Sequence, residues 1–251
     1  MLIDEPKALY AHLSELRNRL MMVSFCFVAC FLGCYTFSQK IQSILIQPLQ
    51  PILNQGRSLV YTSLPEAFFS EINVALFASF LLTFPFLLMQ IWLFLKPGLY
   101  VVERQIVRGV MICIPILFYL GVVFAQTAVL PRAFEFFVSF EHGEIPLYFL
   151  PKISDYVSFS QRLIFVFGLG FELPVLLFSL VNFGVLNLKS LKSRWRMVVF
   201  LICALSAVIT PPDALSMLAL AVPMIALYGI TILVIQCIQY RTKQNTEPYH
   251  A

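Results

Sequence analysis

Six apolar segments, residues 20–37, 68–95, 107–130, 159–185, 197–209 and 214–238, run through the chain and decide what it can fold into. A helix that crosses a bilayer needs about 20 mostly apolar residues, and all but the fifth segment meet or approach that length. Of the 251 residues 60% are hydrophobic and 12% charged, against roughly 25% charged in a soluble domain. There is too little polar surface here to cover the apolar surface in water. Inside lipid each segment must satisfy its own backbone polar groups, which makes helices of them. The expectation is an all-α integral membrane protein, six transmembrane helices forming one membrane domain over residues 1–251, with no soluble catalytic domain attached.

Leu9, Leu13, Leu16 and Leu20 recur at spacings of four, three and four, which draws an apolar stripe along one side of a helix. The spacing predicts an amphipathic helix over 5–19 that lies along the membrane surface before the first span. No small-residue cleavage site borders that span, so it reads as retained rather than as a removable signal. Pro85, Pro115, Pro174 and Pro223 fall inside apolar segments; each removes a backbone donor and predicts a kink. The fifth segment is 13 residues long before Thr210, Pro211, Pro212 and Asp213 interrupt it. At about 1.5 Å per residue it reaches about 20 Å, short of a hydrocarbon core of roughly 30 Å. Either the last two segments are short helices that thin the bilayer, or they form a re-entrant hairpin. Residues 38–67 and 131–158 are too long for hairpin turns and rich in proline, and are expected to form ordered caps with short helices.

Orientation follows from basic residues on alternating sides of six spans. One side holds Lys7, Arg17, Arg19, Lys96, Arg104, Arg108, Lys189, Lys192, Arg194, Arg196, Arg241 and Lys243; the other holds Lys40, Arg57, Arg132, Lys152 and Arg162. The first side is therefore expected to be the cytoplasm, with both termini and a tail over 239–251 on it.

Ionisable residues within membrane segments are functional candidates by default. Glu172, in Gly168-Leu-Gly-Phe-Glu-Leu-Pro174, has no Lys or Arg at matching depth. It reads as a polar binding site on a concave face, or as a carboxyl capping donors freed by Pro174 and the glycines. On the cytoplasmic side Glu15 and Glu103 are the prominent acids; the plainer reading pairs Glu15 with Arg19 at i,i+4 and leaves Glu103 beside Arg104 in a solvated loop. Cys26, Cys30 and Cys34 repeat every four residues and read as small apolar packing residues. His12, His142 and His250 all stand outside the apolar segments, and nucleophile-elbow, His-Glu-x-x-His and phosphate-loop patterns are absent. An enzyme is not expected, and neither metal nor cofactor. The net charge of +4 is too small to imply nucleic acid.

The motifs in order are His12-Leu-x-Glu-Leu-Arg-x-Arg-Leu20, Pro48, Phe68-Phe69, Pro85, Gln90-x-Trp-x-Phe94 and Pro97-x-Leu-Tyr-x-x-Glu-Arg104. Phe118-x-x-Gly121, Pro131-x-Ala-Phe134, Phe171-Glu-x-Pro174 and Thr210-Pro-Pro-Asp213 follow. In this series the chain resembles the TatC family, multispanning receptors of the twin-arginine protein translocase, over nearly its whole length. The resemblance implies a curved, cupped bundle with its last two helices short, in a bacterial inner membrane or its organellar equivalent. It implies a receptor for twin-arginine signal peptides of folded cargo, working with TatA-type and TatB-type single-span partners, membrane lipids and further copies of itself, driven by the proton-motive force. By position, Glu15 and Glu103 would face the twin guanidinium groups, with Leu16, Arg17 and Phe94 nearby. Glu172 would be the intramembrane acid that meets a partner helix or the inserted signal. Pro48, Phe68 and Asp213 would belong to a periplasmic cap and its partner contacts. Gln105, Met217 and Gly229 depart from the family pattern, the last two where polar docking of a partner helix is expected. A secondary transporter with an intramembrane glutamate is the alternative; the internal repeat usual in such transporters is missing.

Overall fold

The computed structural model describes residues 5–53, 59–98, 101–139, 151–209 and 214–246. The elements are α1 (Glu5–Thr36), α2 (Ser38–Ile46), a 3-10 turn (Gln47–Leu49), α3 (Gln50–Leu53), α4 (Glu66–Leu95) and α5 (Val101–Phe124). A π-helical turn (Ala125–Val129) leads into α6 (Leu130–Ser139), and then come α7 (Ile153–Gly170), α8 (Leu173–Asn182), α9 (Leu188–Ser193), α10 (Trp195–Ile209) and α11 (Ala214–Thr246). Among the described residues five helical stretches are long and apolar enough to cross a membrane: His12–Thr36, Glu66–Gly98, Val107–Val138, Ile153–Asn182 and Leu220–Cys237. The apolar helix Trp195–Val208 is shorter. The chain is an all-α, multi-pass membrane protein.

The helices differ from expectation at both ends of the chain. Residues 5–19 are not a separate surface helix: α1 is continuous over 32 residues, because no Gly or Pro stands between Lys7 and Gly33 to interrupt its hydrogen-bond ladder. Of the final two helices α10 is short, at 15 residues, whereas α11 runs for 33. Beyond its apolar stretch the chain meets no helix breaker until Pro248, so the first part of the polar tail continues the helix.

Pro85, Pro115 and Pro223 sit within unbroken helices, while Pro174 marks a real break. α7 stops at Gly170, Phe171 and Glu172 form a turn, and α8 starts with Leu173 and Pro174. Glu172 N–H bonds back to the Leu169 carbonyl at 3.0 Å in a tightened last turn. α8 ends where Gly184 takes φ 72°, a left-handed conformation open to glycine.

The residues fall into two compact units, Met1–Pro115 with Leu150–Ser158, and Ile116–Phe149 with Phe159–Ala251. In the first, α1 packs along α4 and α2 packs on the start of α4, around buried Leu45, Leu49, Val74, Ala75 and Phe84. In the second, α8, α9 and α10 pack on α11 around Leu191, Ile202, Ala221, Tyr228 and Ile235. There too α5 meets α7 closely: Phe118 is fully buried, and a Cβ on Gly121 would stand 2.5 Å from the Phe167 carbonyl oxygen.

Candidate functional site

Glu15 and Arg19 lie one turn apart on α1, the spacing at which an acid and a base face each other on a helix. Arg19 Nε and Nη2 both donate to Glu15 Oε1, at 3.0 and 2.5 Å. The same guanidinium reaches α4, where Nη1 donates to Gln90 Oε1 at 3.1 Å and Nη2 to the Leu93 carbonyl at 3.4 Å. Only arginine's planar fork presents donors in so many fixed directions at once. The side chains are 21% exposed for Arg19 and 38% for Glu15, so the pair is half sheltered and remains reachable from solvent. Both bonds from Arg19 use one oxygen of Glu15, which leaves the second oxygen to other donors.

One turn earlier the His12 ring stacks on Phe94, with centroids 4.2 Å apart and planes 17° from parallel. Glu15 and Phe94 are thereby brought to one corner, where α1 meets the C-terminal end of α4. Leu16 and Arg17 are exposed beside them. Glu103 belongs to the first turn of α5; its side chain lies outside the described residues.

Glu172 sits at the break between α7 and α8, half-buried, with the Phe118 backbone turned toward it. Neither carboxyl oxygen has a hydrogen-bond partner among the described residues. The reading as a cap for freed backbone donors is not what the side chain does: it occupies the residue before α8 and makes no capping bond.

Of the cap residues, Pro48 lies in the 3-10 turn after α2 and Phe68 is exposed in the first turn of α4; Asp213 is outside the described residues. Next to Phe68 is an acid the sequence reading passed over. Glu66 is buried, and its Oε2 accepts from Thr62 N–H (2.6 Å), Thr62 Oγ1 (3.1 Å) and Ser63 N–H (3.2 Å). Its Oε1 accepts from Ser154 N–H (3.3 Å) and Ser154 Oγ (2.7 Å). The signal was present, since Ser63-x-x-Glu66 ahead of an apolar run is a capping pattern. Around this carboxylate the chain is stitched further: Val60 pairs with Lys152 in a parallel bridge, and Tyr156 Oη donates to the Leu45 carbonyl at 2.5 Å. His12 and Gln90 were visible only as letters of motifs, because the meeting of α1 and α4 is tertiary.

The family model for the Sec-independent protein translocase protein (TatC) matches residues 11–223. The chain belongs to the TatC family. A TatC of Magnetococcus marinus, described as a Sec-independent protein translocase protein, is 38% identical over 230 residues, covering 92% of this chain and 84% of that one. Another, from Rickettsia prowazekii, is 35% identical over 231 residues, covering 91% and 92%. A crystal structure of the twin arginine translocase receptor TatC superposes with a TM-score of 0.77 at 28% identity, covering 90% of this chain and 98% of that one. TatC membership makes this chain a component of Sec-independent protein transport, in place of the secondary-transporter alternative.

Proposed function

We propose that this chain is the receptor of a twin-arginine translocase and that the corner formed by Glu15 and Phe94 takes the signal peptide, with Glu103 as the second acid that the resemblance assigns to it. The observation that carries this reading is the Glu15–Arg19 pair. The carboxylate is held on the exposed end of α1 by an internal guanidinium, and its geometry is set before a second guanidinium arrives. Carboxylates and guanidinium forks form paired, charge-assisted bonds that lysine does not reproduce, so a site of this kind selects arginine. Exposed Leu16 and the Phe94 ring supply apolar surface for the residues that follow the arginines in a signal. The basic-residue count supports a cytoplasmic site, with both chain termini on the same side of a bacterial inner membrane. Glu172, whose carboxyl oxygens have no hydrogen-bond partner among the described residues, offers a polar contact inside the membrane for an inserted signal or a single-span TatA-type or TatB-type partner. Working copies are expected to associate with each other.

The test is affinity of the protein in nanodiscs for a twin-arginine peptide and its twin-lysine variant. Removing one partner of a close charge pair costs about 2–5 kcal/mol, so Glu103→Gln and Glu15→Gln are each expected to weaken arginine-peptide binding by roughly one to three factors of ten. Equal affinity for the two peptides overturns the reading.

A further inference from the structure

The turn that leads into α4, Tyr61-Thr-Ser-Leu-Pro-Glu66, ties backbone donors to one buried carboxylate and turns large apolar side chains outward. Glu66 collects the N–H groups of Thr62 and Ser63 and the Thr62 hydroxyl; Glu66 N–H bonds the Ser63 carbonyl at 3.2 Å, and Pro65 has no N–H to satisfy. Facing outward are Leu64, 100% exposed, and Tyr61, Phe68 and Phe69, each close to half exposed or more. A turn in water normally carries few large apolar side chains on its outer face and leaves its N–H groups solvated.

The turn stands where the apolar stretch of α4 begins, at Glu66. Phe69 shares a face of α4 with exposed Leu76, two turns further along. Exposed apolar residues on a spanning helix are those that meet lipid, so the outward face of the turn continues a lipid-facing surface. Backbone donors without partners are costly away from water, and here the carboxylate satisfies those of Thr62 and Ser63. Aromatic rings favour the boundary between headgroups and acyl chains.

We propose that residues 61–69 form a membrane anchor, in which the Leu64-Pro65 tip enters the headgroup–acyl boundary beside the N-terminal end of α4, collared by Tyr61, Phe68 and Phe69. Glu66 is its positioning residue, holding the N–H groups of Thr62 and Ser63 and fastening the turn to Ser154. The ligand is the lipid bilayer itself. The proposal concerns the end of α4 opposite Gln90 and Phe94, and stands or falls independently of the signal-peptide reading.

The experiment places a single tryptophan at the tip, Leu64→Trp, in the full chain with Trp92→Phe and Trp195→Phe, reconstituted into phosphatidylcholine–phosphatidylglycerol vesicles. Tyr61→Trp in the same background serves as the second probe should the first fail to fold. The lipids carry bromine either close to the headgroup or close to the chain end, and acrylamide serves as the aqueous quencher. An anchor gives blue-shifted emission, several-fold stronger quenching by bromine near the headgroup than near the chain end, and weak quenching by acrylamide. Quenching by acrylamide alone puts the turn in water and overturns the proposal. Protection from both quenchers means that a protein surface, a second copy or a partner, covers the turn, and overturns it as well. Adding Glu66→Gln is expected to raise acrylamide quenching several-fold; unchanged protection removes the positioning role of Glu66.

Discussion

Glu66 and Ser154 stand 88 residues apart in the chain, yet one carboxylate oxygen of Glu66 accepts both the N–H and the hydroxyl of Ser154. The other oxygen holds Thr62 and Ser63, so a single side chain fastens the entrance of α4 to the entrance of α7. Glu66→Ala is therefore expected to lower the thermal unfolding midpoint by more than Ser154→Ala. The serine variant loses one hydroxyl, whereas the glutamate variant removes the acceptor of the Thr62, Ser63 and Ser154 N–H groups together, each a partly buried bond worth about 0.5–1.5 kcal/mol. Glu66→Gln, with one acceptor oxygen in place of two, falls between. A Glu66→Ala protein that melts with the parent would show that the cluster is incidental.

Arg19 ties three groups together, Glu15, Gln90 and the Leu93 carbonyl. Arg19→Ala is expected to cost about 1–2 kcal/mol of stability, the lower part of the range for charge-assisted bonds because the pair is partly exposed. Arg19→Lys is expected to recover less than half of that, since one ammonium cannot serve all three acceptors from one position. Thermal unfolding of the three proteins decides it. Full recovery by lysine would reduce Arg19 to a point charge beside Glu15.

Glu172 presents the opposite case, a polar group whose oxygens find no hydrogen-bond partner among the described residues. Replacing it with leucine removes the penalty of an unsatisfied buried group, and Glu172→Leu is expected to raise stability by about 1–3 kcal/mol. The same variant is expected to lose export of folded cargo, since features that are costly to the fold persist where function needs them. A leucine variant that is less stable than the parent would mean that the carboxyl is satisfied by groups outside the described residues and is structural.

How much of this was legible in the sequence depends on the range over which each feature is encoded. The apolar helices were, because a bilayer imposes length and composition on every span. The pairing of Glu15 with Arg19 was, because i,i+4 is a local rule. Gln90 as the partner of Arg19 was not: the contact joins residues 71 positions apart, and a single chain carries no record of which helices lie side by side. The continuity of α1 was missed because an amphipathic stripe over 5–19 says which face is apolar and nothing about whether the helix stops. Glu66 was missed because acids were weighed by membrane depth, while its meaning lay in the capping pattern with Ser63 and a distant Ser154. The acid expected to complete the signal site, Glu103, rests on the resemblance and on the binding test.

Gly121 offers the sharpest test of the packing. Its Cβ position lies 2.5 Å from the Phe167 carbonyl oxygen, 2.9 Å from the Phe167 carbonyl carbon and 3.0 Å from the Gly168 Cα. All three are backbone atoms of α7, so a methyl group has no flexible side chain to push aside and must drive the helices apart, straining the contact around buried Phe118. Overpacking of this kind costs about 1–3 kcal/mol, which Gly121→Ala should show as a lower unfolding midpoint. Gly109, on the same helix, has nothing within 4 Å of its Cβ position. There alanine meets open space and improves helix propensity by about 0.5–1 kcal/mol, so Gly109→Ala is expected to be neutral or slightly stabilising. Measured side by side in one detergent, the two substitutions separate close packing from propensity, since both make the same chemical change in α5. Equal midpoints for the two would mean that α5 and α7 do not approach as closely at Gly121 as the Phe167 carbonyl requires.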